Sequence, residues 1–191
     1  EGGYLFGKND NIPAFFFMSI VVSLFTGMTM SAEEIFRDRK ILKRENFLNL
    51  SRSGYLTSKV SILFGFSALQ MASFVLISAL VLSIPGLYLE YWLLIFSLSC
   101  FAIMLGLNVS ATFNSAVTIY ILIPLLLIPQ LILSGTVVKF DQLNPSFTSP
   151  KVVPIAADLM ASRWAYEGMM VKFFQDNDYQ QAFFDVEQQA S

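Results

Sequence analysis

The chain has no histidine and one cysteine, Cys100. Without histidine there is no Ser-His-Asp or Cys-His arrangement and no imidazole general base. Most transition-metal sites go with it. A lone cysteine closes no internal disulfide, and zinc-ligand spacing is missing. Charge is scarce too. Only 14% of the 191 residues are Asp, Glu, Lys or Arg, against about 25% in an average soluble domain. A net charge of −2 offers no basic surface to nucleic acid. No Gly-rich phosphate loop followed by Lys and Ser/Thr occurs, and no carboxylates pair at catalytic spacing within the apolar runs. This stretch of chain is therefore not expected to be an enzyme or to hold a cofactor or metal.

What is present is apolar surface, segregated from charge. Residues 60–138 carry one charged side chain, Glu90, and residues 11–32 carry none. Some 20 apolar helical residues cross a hydrocarbon core of about 30 Å. The expected class is an all-α, polytopic membrane bundle. Its spans are placed at 13–32, 58–84, 91–111 and 116–134, after an external loop at 1–12. Tyr88, Tyr91 and Trp92 flank Glu90, as aromatic residues do at a membrane–water interface. Pro124 and Pro129 interrupt the fourth span, and Gln130 follows. A bent, polar helix is expected inside the bundle rather than against lipid. Residues 135–191 read as an external re-entrant and amphipathic region. The chain opens on Glu1 with no signal pattern and is expected to be part of a longer protein.

Seven of the twelve Lys and Arg residues fall in 37–59. By the positive-inside rule that block is cytoplasmic. Residues 33–50 read as an amphipathic surface helix. Ser31 and Glu34 match a capping box at its start. Glu33 and Arg37 are spaced to pair across one turn. Ile35, Phe36 and Leu42 share one side; Arg37, Lys40 and Arg44 share another. Arg39 and Lys43 break the pattern and are expected to snorkel.

The exit from the first span, SAEEIFRDRKILKRE, resembles the connecting helix of type 2 ABC exporters of the G subfamily. Glu33, Asp38, Arg39 and Glu45 carry that likeness. LSRSGYLTSK, ILSG and SRWAYEG follow in the same order and spacing. The closest resemblance is to bacterial versions with fused ATPase and permease. It implies a permease domain in the bacterial inner membrane, working as a dimer with a second copy. It also implies a separate ABC ATPase domain holding ATP and Mg, and a hydrophobic or amphipathic substrate. Glu33, Arg37, Asp38, Arg39, Arg44 and Glu45 would form the coupling helix. Ser23, Thr26 and Met30 would line the substrate pathway opposite Pro124, Ile128 and Leu131. Thr136 and Val137 would form an external plug. Thr26 stands where drug exporters of that subfamily carry an aromatic clamp, which argues against a flat polycyclic substrate. The alternative is a non-transport anchor or scaffold whose external tail binds a partner.

Overall fold

In hydrocarbon every backbone polar group must be satisfied internally, so charge-free runs become helices. The computed structural model describes residues 11–45, 51–82, 88–134 and 158–175. Among these are six helices and no strand: α1 (Asn11–Ser31), α2 (Glu34–Glu45), α3 (Arg52–Leu82), α4 (Tyr88–Thr112), α5 (Ala116–Ile132) and α6 (Ala161–Gln175). The loop at 1–10, the Pro85-Gly86 turn, Thr136, Val137 and the acidic tail lie outside the described residues. So do the side chains of Arg44 and Glu45.

Three helices are long and apolar enough to cross a membrane: the one beginning in α1, then α3 and α4. α5 is equally apolar but has 17 residues, roughly 26 Å of rise. α3 begins at Arg52, ahead of the span expected at 58–84, and its 31 residues rise roughly 46 Å, more than a bilayer core needs. α4 runs on through the polar stretch to Thr112. Asn108 and Thr112 donate their side-chain hydrogens to Met104 and Asn108 carbonyls at 2.8 Å, which keeps that stretch helical.

α1 and α4 form the centre. Hydrophobic driving force is absent between helices in lipid, so small residues and hydrogen bonds hold them. A Cβ added at Gly27 would lie 2.7 Å from the Ser99 carbonyl and 2.8 Å from Ala102 Cβ. Gly106 meets the backbone of Met28 as tightly. α3 joins through the buried Ser67 hydroxyl, which donates to Ser99 at 2.7 Å.

Tyr91 is covered by protein: it is 4% exposed, and its hydroxyl donates to Ser19 at 2.5 Å. Its ring joins Phe16 and Phe173, because α6 folds over that end of α1 and α4. α5 packs on the rest of this chain through one face. Ile119, Ile123, Leu127 and Gln130 form one buried stripe, while Val117, Ile121, Leu125 and Ile128 are exposed. Both prolines lie on the exposed side, so the breaks they make in the ladder do not bring that side inward.

Candidate functional site

The sharpest polar geometry lies where α1 hands over to α2. α1 ends at Ser31, and the expected capping box does not form. Ser31 is fully buried and donates back to the Gly27 carbonyl at 2.8 Å. Glu34 turns toward α3 instead of toward the start of its own helix. The cap comes from another helix: Ser110 Oγ accepts the Ile35 N–H at 3.1 Å and the Phe36 N–H at 2.9 Å. Those are two of the N–H groups an α-helix leaves unpaired at its start.

Arg39 returns the favour. It does not snorkel; its guanidinium donates to the carbonyls of Ser110, at 3.4 Å, and Ala111. These belong to the last turn of α4, where unpaired carbonyls and the helix dipole favour a cation. Each helix therefore completes the terminus of the other.

Toward α3 the contact is ionic. Lys59 Nζ lies 2.6 Å from Glu34 and 2.8 Å from Asp38. The Tyr55 hydroxyl donates to Asp38 at 2.9 Å. The Lys59, Glu34 and Asp38 side chains are 23%, 20% and 19% exposed. Such partly shielded pairs are screened less by salt than open surface pairs. Glu33 does not pair with Arg37, whose partner is Glu34 at 2.9 Å. Glu33 lies instead beside the Tyr120 hydroxyl of α5. Ile35 and Phe36 face the bundle's apolar residues. α2 is thus tied to α3 and α4, and leaves Arg37, Lys40 and Ile41 exposed.

Burial works to raise the Asp38 carboxyl, but Lys59 and Tyr55 outweigh it and hold Asp38 below the usual carboxylate range. A depressed carboxyl contributes stability that is fully present above its ordinary pKa of about 4. That stability is lost as pH falls through the lower folded value. A nitroxide on Lys40→Cys, with Cys100 replaced by Ala, should give one immobilised spectrum from pH 7 to 5. It should mobilise only below about pH 4. Mobilisation beginning near pH 6 would mean that Asp38 does not hold α2.

A family model described as ABC-2 type transporter matches residues 2–174. The chain belongs to the ABC-2 type transporter family. It is the membrane domain, the permease part of an ABC transporter, and such domains are not themselves catalytic. ABC-2 permeases generally partner with an ABC ATPase and work as dimers. Searches of curated proteins and of solved structures return no match.

In this ABC-2 permease the residues expected along a substrate pathway do not share one face. Ser23 is fully buried and donates to the Ile20 carbonyl at 3.1 Å. Met30 packs with Leu63, Ile103 and Leu107, on the α3 and α4 side. Thr26 is half-buried and bonded to Val22 at 2.7 Å. Pro124 and Ile128 are exposed, and Leu131 packs against the core. The open face of α1 consists of Met18, Val22 and Phe25. Of the coupling residues, Glu33, Asp38 and Arg39 converge on the bundle and Arg37 faces away. Glu34, Tyr55, Lys59, Ser110 and Tyr120 were not singled out by their sequence positions as parts of this joint. Tyr55 and Lys59 did stand in LSRSGYLTSK, one helical turn apart.

Proposed function

We propose that this ABC-2 permease belongs to an ATP-driven exporter of the G-subfamily type, and that α2 is its connecting helix. One observation supports this most. α2 turns Glu34 and Asp38 toward α3 and Arg39 toward α4, while Arg37 and Lys40 stay outward. A lever between two bodies needs such a division: one side fixed to the spans, the other free to receive a partner. An ATPase domain that contacts Arg37 and Lys40 differently in its two nucleotide states would move α2, since coupling requires differential contacts. The joint would pass that movement to α3 and α4 together.

In this reading the basic end is cytoplasmic, and the end covered by α6 faces outward. ATP and Mg belong to the ATPase domain, and the membrane is the bacterial inner membrane. The exposed apolar faces of α1 and α5 offer a second copy, and a hydrophobic or amphipathic substrate between the copies, a place to lie.

The test is charge reversal on the outward face, Arg37→Glu with Lys40→Glu, in the full-length transporter. Basal ATP hydrolysis should remain within about twofold, and transport should fall at least about tenfold, a 1.4 kcal/mol change. Survival of both transport and substrate-stimulated hydrolysis would contradict the coupling role.

A further inference from the structure

At the end opposite α2, α6 is held by two unlike contacts. Its second half is anchored by apolar packing. Met169 and Phe173 are buried, and the Phe173 ring lies 4.6 Å from Phe16 and 5.9 Å from Tyr91. Its first turn is held by a polar contact. Ser162, fully buried, donates its hydroxyl to the Gln130 carbonyl and its backbone N–H to Gln130 Oε1 at 3.4 Å. Among the described residues, Arg163 pairs within its own segment, with Asp158 and with Glu167 at 3.6 Å. Trp164 donates to the Asp158 carbonyl at 2.8 Å, and its ring is more than half exposed.

Gln130 sits at a weak point of α5. Pro129 precedes it and Pro124 lies five residues earlier, and neither has an N–H for the ladder. The last turn of α5 can therefore shift at little backbone cost, carrying Gln130 with it. A single hydrogen-bonded contact between helices in a membrane is strong enough to bias an equilibrium and weak enough to release.

We propose that Gln130 and Ser162 form a releasable latch. Closed, it holds the first turn of α6 on the end of α5. Open, α6 pivots about the Met169 and Phe173 anchor and uncovers the outward end of the bundle. Both residues are positioning residues. The inference rests on the permease reading, not on the role of α2.

The test uses the full-length transporter with Gln130→Cys, Ser162→Cys and Cys100→Ala, and a one-carbon bis-methanethiosulfonate linker. Cross-linking should be at least about fivefold slower after trapping with ATP and orthovanadate than without nucleotide, a shift of ~1 kcal/mol. The linked protein should turn over ATP at least about fivefold more slowly, with recovery in dithiothreitol. Equal linking in both states, together with unchanged turnover, would overturn the latch. An unlinked parent protein with no ATP-dependent activity would count against the permease reading instead. A second variant needs no linker. Ser162→Ala should speed amide exchange in the first turn of α6 at least about threefold, and Ser162→Thr should restore it. Exchange unmoved by Ser162→Ala would also overturn the proposal.

Discussion

Lys59→Met in the full-length transporter should uncouple ATP hydrolysis from transport while the bundle stays folded. Lys59 lies between Glu34 and Asp38, at 2.6 and 2.8 Å. Its loss leaves two carboxylates four residues apart on one helix, a destabilising spacing for like charges. Hydrogen bonds to charged groups contribute about 1.5–3 kcal/mol each. Partial exposure reduces that, so about 2 kcal/mol of α2 docking should be lost. That is a factor of roughly 30 in the docked-to-undocked ratio. Methionine has a similar stem and leaves the spans packed. Transport per ATP should fall at least about tenfold, with hydrolysis itself largely kept. Lys59→Arg, which keeps the cation, should retain most of the coupling. Full transport per ATP in the methionine variant would mean that α2 does not act through α3.

The largest effect on folding is expected at Gly106. A Cβ there would lie 2.8 Å from the Met28 carbonyl oxygen and 3.3 Å from Met28 Cα, and would strike the Ser31 hydroxyl. The hydroxyl can rotate away, but the backbone of α1 cannot. Gly106→Ala therefore has to push α1 and α4 apart. Overpacking of this kind costs about 1–3 kcal/mol. Separation also weakens the close contact that holds helices together in lipid. Ser110 lies one turn further along α4, so the cap on α2 should loosen with it. Gly65→Ala is the matched control, because nothing lies within 4 Å of a Cβ there. It should be neutral or stabilising by up to about 1 kcal/mol through helix propensity. Thermal unfolding in detergent reads both. Equal midpoints for the two variants would show that the Gly106 approach does not hold the pair.

The helices were legible because charge is excluded from hydrocarbon: residues 11–32 and 60–138 mark themselves by what they lack. The basic block marked α2 for the same reason. What stayed hidden was pairing between distant residues. Ser31 looked like a cap because only neighbours are visible in a sequence. The true cap, Ser110, is 75 residues away from Ile35. Arg39 broke the amphipathic pattern, and the pattern alone could not show that the end of α4 lies beside it. The burial of Tyr91 stayed hidden because nothing in its own surroundings shows that α6 covers it. Ser23 and Met30 were placed on the pathway by likeness to a family. Their burial depends on how α1 rotates against α4, which Gly27 and Gly106 set.

The central claim is that Asp38 and Lys59 act as one unit between the ATPase and the spans. A double-mutant cycle on transport per ATP hydrolysed tests it most directly, with Asp38→Asn, Lys59→Met and both together in the full-length transporter. If the contact carries the coupling, each single variant loses it, and the double variant is no worse than Lys59→Met alone. Losses that simply add, or coupling that survives all three, would contradict the account.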